Sequence, residues 1–168
     1  MSSDVVIRFA TAADVSTILG CIRALARYEK LEHEVVADEA MLHAQLFGAQ
    51  PAAEVLLAEI AGRPVGFALF FRSFSTWLAK PGLYLEDLFV EPEARGKGAG
   101  LALMSALARI AVERDYGRFE WSVLDWNEPS LEFYRALGAV AMSDWTVHRV
   151  VGAPLAALAR RWSGAIAR

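Results

Sequence analysis

The chain has 168 residues, 55% of them hydrophobic and 22% charged, with a net charge of −3 and a pI near 5.6. A chain of this size buries about 70% of its extended surface on folding, enough for one continuous domain, 1–168, with a full core. The composition excludes a disordered chain, the single Cys21 excludes an internal disulfide, and the acidic balance argues against nucleic acid as a partner. The longest apolar run, Val65–Phe71, is strand length, so no membrane span is expected. Met1-Ser2-Ser3-Asp4 lacks a basic segment leading into an apolar one, so no signal peptide is expected. A lone free thiol fits a reducing, cytoplasmic compartment.

Val5–Phe9 is a β-prone start. Thr11 and Asp14 make a capping-box variant, and Val15, Ile18, Leu19, Ile22, Leu25 and Ala26 then share one helical face. Tyr28 to Glu34 reads as an acidic loop, and Asp38 to Phe47 as a second helix ended by Gly48. Glu54–Ile60 and Val65–Phe71 are strands joined through Ala61-Gly62-Arg63-Pro64. Leu83–Val90 is a strand, apolar on both faces except for Glu86 and Asp87. A polar loop, Glu91 to Gly100, leads into a helix over Leu101–Arg114, and Phe119–Leu124 is another strand. Asn127 is placed to cap a short helix, Pro129–Leu137, with Gly138 just beyond its end. Trp145–Val151 reads as a last strand, and Pro154–Trp162 as a helix whose apolar face needs a cover. This order makes an α/β fold: one mixed sheet with helices on both faces.

The most informative stretch follows the Leu83–Val90 strand. Arg95-Gly96-Lys97-Gly98-Ala99-Gly100 opens a helix, so backbone N–H groups, the helix N-terminus and two cations converge. That suits a pyrophosphate; the plainer reading is a glycine-rich turn with a basic edge. A dinucleotide fingerprint fails because Leu101 stands where its third glycine belongs. A P-loop fails because Lys97 is followed by Gly98 and not by Ser or Thr. Arg95, Gly98 and Gly100 do match the Arg/Gln-x-x-Gly-x-Gly/Ala loop of GNAT acetyltransferases. The chain resembles that family's spermidine/spermine and thialysine N-acetyltransferase branch. The likeness is carried by Ile7-Arg8 with Ala10–Asp14, by Tyr28-Glu29, by Leu83–Val90, and by Trp126-Asn127-Glu128-Pro129-Ser130 with Phe133-Tyr134.

The resemblance implies a mostly antiparallel sheet of six to seven strands. It also implies acetyl transfer from acetyl-CoA to an amine by direct attack in a ternary complex. Glu86 is expected to take the amine's proton through water and to hold a cationic substrate; a salt-bridged strand residue is the plainer alternative. Asp87 points to the other face by strand alternation, and its role stays open. Tyr134 resembles the acid that protonates the CoA sulfur, where the bland reading is a core aromatic. The backbone of Leu88, Phe89 and Val90 is expected to pair with the pantetheine arm. Arg95, Gly96, Lys97, Gly98, Ala99, Gly100 and Leu101 are expected to hold the pyrophosphate, and Asn127, Pro129 and Ser130 to line the cofactor slot.

Tyr28, Glu29 and Trp77 resemble the branch's substrate residues, with Glu32 and Glu34 either extending an acidic channel or forming a solvated loop. Ser75 stands where the branch has an acid, and Ser143-Asp144 replaces a more acidic patch. Both changes favour a short diamine, thialysine or lysine-like amino acid over long polyamines. His33, His43 and His148 lack metal-ligand spacing, so no metal is expected. A homodimer is implied by the likeness and by the apolar tail helix. Two other functions compete: an acetyl-CoA-binding sensor without turnover, and acetylation of a protein or peptide amine.

Overall fold

The structure, a computed structural model, describes residues 5–166. Five strands form one sheet in the order β1 (Val5–Phe9), β2 (Glu54–Ile60), β3 (Arg63–Ser75), β4 (Lys80–Val90) and β5 (Phe119–Trp121). The first three pairings are antiparallel and β4 pairs with β5 in parallel. The helices are α1 (Val15–Tyr28), α2 (Glu39–Phe47), α3 (Ala99–Glu113), α4 (Glu128–Ala136) and α5 (Gly152–Ala159). The chain divides into two compact units after Ser122.

In the first unit the sheet is covered on both faces. Ile18 of α1 and Leu46 of α2 pack with Val55, Leu57, Phe67 and Phe89. On the other face α3 runs beside β1 to β4 and buries Leu103, Met104, Leu107 and Ala111. Because β2 and β3 are buried on both sides, they read as continuous apolar runs and not as alternation. The start of α1 follows from its local chemistry. The Thr11 N–H donates to the Asp14 carboxylate at 2.8 Å, and Arg8 grips the same carboxylate with both terminal nitrogens, each at 2.8 Å. The Arg8 pair holds the Asp14 carboxyl well below the usual carboxylate range.

Three expectations change. The β3–β4 hairpin extends to Ser75 and Lys80, past the apolar runs, because the ladder continues through Arg72, Ser73 and Phe74 opposite Leu83, Gly82 and Pro81. The last helix starts and stops earlier than its sequence pattern, at Gly152–Ala159. The expected strand over Trp145–Val151 is absent, so the sheet has five strands where six to seven were implied. That segment is rich in β-branched residues, Thr146, Val147, Val150 and Val151, but among the described residues no strand of the sheet pairs with it. Every described residue from Val140 to Ile166 is exposed.

Candidate active site

The carboxylates of β4 are organised by a defect in the ladder. Asp87 pairs with Leu69 and Leu85 with Phe70, so Glu86 is an inserted residue opposite no partner of its own. This β-bulge reverses the pattern of sides. Leu69 and Phe70 are neighbours on β3 and face opposite ways, so Leu85 and Asp87 do too, although they are two apart. Leu85 goes to the side away from α1, and Asp87 follows Leu69 and Phe89 to the side of α1. Simple alternation along β4 therefore does not describe Glu86 and Asp87.

The two acids also differ in environment from what the sequence implied. Glu86 is exposed, not embedded in an apolar strand. Asp87 is the largely buried one, and burial, with Glu86 and Glu29 adding like charge, pushes its carboxyl up to about 6. Glu29, just past the C-terminus of α1, is partly buried and is itself pushed upward by desolvation. Glu29 and Asp87 thus belong to one region of like negative charge. The rest of the acidic run does not join it: Glu32 is paired with Arg27 at 2.7 Å and Glu34 lies exposed beside His33.

The glycine loop lies downstream on the same strand. Leu88, Phe89 and Val90 pair with Ala68, Phe67 and Gly66 of β3 along one edge. The β5 ladder stops at Leu85 opposite Trp121, so no strand of the sheet pairs with the other edge of β4 from Glu86 to Val90. A 3-10 turn, Pro92–Ala94, then leads to Arg95. Gly96 and Gly98 have φ of 73° and 89°, and a Cβ at either would meet nothing within 4 Å. The helix begins at Ala99, two residues earlier than its pattern implies, with Gly98 as its left-handed cap. Ala99 is buried, while Leu101 is exposed. The first N–H groups of α3 therefore open onto a loop carrying Arg95 and Lys97.

The sequence matches the Acetyltransferase (GNAT) family over residues 22–139. The chain belongs to this family. It is 37% identical to the thialysine N-epsilon-acetyltransferase of Bos taurus over 92% of this chain and 97% of that protein. It is 32% identical to the L-ornithine N5-acetyltransferase of Arabidopsis thaliana, over 90% of this chain and 86% of that one. An integron cassette protein from the mobile metagenome of V. cholerae superposes with a TM-score of 0.78 at 30% identity, covering 95% of this chain and 99% of that one. This chain is therefore an N-acetyltransferase, and GNAT acetyltransferases use acetyl-CoA.

The remaining predicted residues of the acetyltransferase fall into three places. In the second unit, Asn127, Ser130 and Tyr134 follow one face of α4, since positions three and seven apart return to the same side. Asn127 is buried, and its side chain makes no cap hydrogen bond, contrary to the capping role expected of it; its backbone oxygen accepts from Ser130 and Leu131 instead. Pro129 occupies the first turn, where a missing N–H costs nothing. The Tyr134 ring packs on Phe133 with centroids 5.4 Å apart.

Tyr28 ends α1 in the first unit, and the guanidinium of Arg95 lies over its ring, 5.0 Å from the centroid. That contact was not legible in the sequence, where the two residues belong to different subsites. Trp77 is not brought to the carboxylates. It projects from the β3–β4 turn, 88% exposed, while Glu86 lies six residues beyond Lys80. At 3.3 Å per residue that is about 20 Å along the strand. Ser75 is buried and its hydroxyl accepts the Leu78 N–H, so it serves the turn.

Cys21 lines an open cavity of about 520 Å³ with Thr17, Ala24, Phe89 and Glu91, and burial pushes its thiol up to about 11. It is therefore a neutral thiol at physiological pH. Among the described residues no group of three or more His, Cys, Asp or Glu is placed to hold a metal ion, and no helix is long and apolar enough to cross a membrane.

Proposed function

We propose that this chain, acting as one catalytic domain, transfers the acetyl group of acetyl-CoA to the primary amine of a small cationic substrate of the ornithine or thialysine type. The observation that carries this is the region of like negative charge at Asp87 and Glu29 beside an exposed Glu86. A largely buried carboxylate repelled by neighbouring acids gains from a nearby cation, and a bound ammonium would supply one. The residues also fit the acetyl donor. An open β4 edge at Leu88–Val90 can take an added strand-like chain, and open left-handed glycines before a 15-residue helix can take phosphates. Bound there, acetyl-CoA supplies a thioester carbonyl.

The amine must first lose a proton. With a pKa of about 10.4, only about one alkylamine in a thousand is free base near pH 7.4, a cost of roughly 4 kcal/mol. Asp87 and Glu29 hold the ammonium. Glu86, exposed on the bulge, takes the proton through water. The nitrogen lone pair attacks the thioester carbon, the C–S bond breaks, and Tyr134, in the role the family likeness gives it, hands its proton to the departing sulfur; the nitrogen sheds its second proton to water as the amide forms, and solvent reprotonates Tyr134. The products are the N-acetyl amine and CoA.

Two features favour short substrates. The relatives named above act, by their names, on thialysine and ornithine, both amino acids with a short side-chain amine. Ser75, and Ser143 with Asp144, supply less charge than a long polyamine wants. We further propose a homodimer. Val140, Trp145, Val147, Leu155, Leu158 and Trp162 are all at least half exposed, apolar side chains that a second copy would cover.

CoA release is measured against thialysine, ornithine, lysine, putrescine, spermidine, spermine and a lysine peptide. Turnover on a short amine exceeding that on spermine supports the reading. Turnover on the peptide alone overturns the substrate class. Tight acetyl-CoA binding with no turnover on any amine makes the chain a sensor.

A further inference from the structure

The family resemblance puts Tyr28 with the amine and Arg95 in the anion loop. The geometry joins them. The Arg95 guanidinium lies with its carbon 5.0 Å from the centroid of the Tyr28 ring, and its Nε donates to the Val90 carbonyl at 3.1 Å. A guanidinium is a flat fork with five N–H donors. One face is taken by the aromatic ring and the inner N–H by β4. The two terminal amino groups lie at the far end of the fork, the end suited to gripping a phosphate in two places. The side chain itself is exposed and long. Without a ring beneath it, it would sample many rotamers and give up that entropy on binding an anion.

We infer that Tyr28 is a positioning residue for the donor side: its ring pre-orients Arg95 for the phosphates of acetyl-CoA. The inference rests on the acetyl-CoA reading above and deepens it. It has a consequence for the acceptor. Tyr28 is followed directly by Glu29, which faces Asp87 electrostatically. A phosphate that fixes Arg95 also steadies the end of α1 that carries Glu29. Donor and acceptor subsites are then linked through one side chain, and any coupling is reciprocal.

The test is a double-mutant cycle on CoA affinity, read by titration calorimetry on the full chain, with acetyl-CoA KM and kcat measured beside it. Tyr28→Leu is expected to weaken CoA about 3- to 5-fold, in keeping with the modest worth of an exposed cation–π contact. Tyr28→Phe keeps the ring face and is expected to bind as wild type. In an Arg95→Ala background, Tyr28→Leu is expected to add less than about 2-fold. The acetyl-CoA KM should rise with Tyr28→Leu while kcat at saturation changes less. A Tyr28→Leu effect of equal size with and without Arg95, or none at all, overturns the inference. So does a Tyr28→Phe loss matching that of Tyr28→Leu. Failure of the wild-type chain to bind CoA overturns the acetyl-CoA reading itself, and the two failures are read on different proteins.

Discussion

The two units use similar apolar material in opposite ways. The first buries Phe67, Phe70, Ile18, Leu56, Leu57, Leu83, Leu103 and Leu107 almost completely. In the second, Asn127 alone among the described residues is fully buried, while Trp126, Val140, Met142, Trp145 and Val147 are exposed. Hydrophobicity is therefore not what separates them. In the first unit each apolar side chain meets another element across a sheet face. In the second, the apolar side chains described from Val140 onward are exposed. Burial needs a facing surface, and apolar composition alone does not supply one.

The largest expected effect breaks the comparison from the side of the core. Phe67→Ala should cost about 3–5 kcal/mol in chemical denaturation, because a fully buried ring leaves a cavity. Val147→Ala, on a side chain 77% exposed, should shift the same midpoint by less than about 0.5 kcal/mol in dilute protein. A loss at Val147 comparable to that at Phe67 would mean that the tail is already covered. Sedimentation then sharpens the point: Trp145→Asp should convert a dimer to monomer, and an unchanged mass would remove the tail from the interface.

Asp87→Asn separates stability from function inside the first unit. The Asp87 carboxyl titrates near 6 in the fold, above its ordinary 3.8, so the folded state holds the proton more tightly than the unfolded one. The fold therefore loses stability as pH rises from about 4 through about 6. Removing the charge should stabilise the protein at pH 7 by up to about 3 kcal/mol. The same change should raise the amine KM by about 30-fold or more, since the ammonium loses its buried partner. In wild type, kcat/KM for the amine should fall below about pH 6 as Asp87 protonates, and this limb should vanish in the variant. A pH profile with the limb intact would assign it to another group.

Tyr134→Phe tests the second unit's part in the chemistry. A lost proton donor should lower kcat by about 100-fold with little change in acetyl-CoA KM. The smallest effect returns to the cap of α1. Asp14→Asn should cost about 1 kcal/mol at neutral pH and nothing once the wild-type carboxylate protonates at low pH, because the Arg8 pair acts only on the charged form.

Much of this was legible from local pattern. The apolar face of α1, the β2 strand and the glycine after α4 follow from spacing and from backbone preference within a few residues. The motif Arg95 to Gly100 and the Asn127–Tyr134 run carried the family. The acidic loop was only half legible, because Glu29 and Glu32 look alike in sequence, yet the fold partly buries Glu29 and leaves Glu32 exposed and paired with Arg27. Trp77 was matched to the carboxylates by likeness, but in one copy of the chain the hairpin carries it away from them.

What the sequence by itself determined is whatever depends on near neighbours: helix starts, turn glycines, apolar stripes, and the loop that makes the chain a GNAT acetyltransferase. What only the tertiary structure decided depends on which backbone lies alongside which. The bulge at Glu86 exists because β3 and β4 register differently on its two sides, and that register turns Asp87 toward α1 and Glu29. The stacking of Arg95 on Tyr28 joins residues 67 positions apart in the chain. The missing strand at Trp145–Val151 has the right residues and no neighbour. Strand pairing is a contract between distant segments, and no run of side chains fixes it alone.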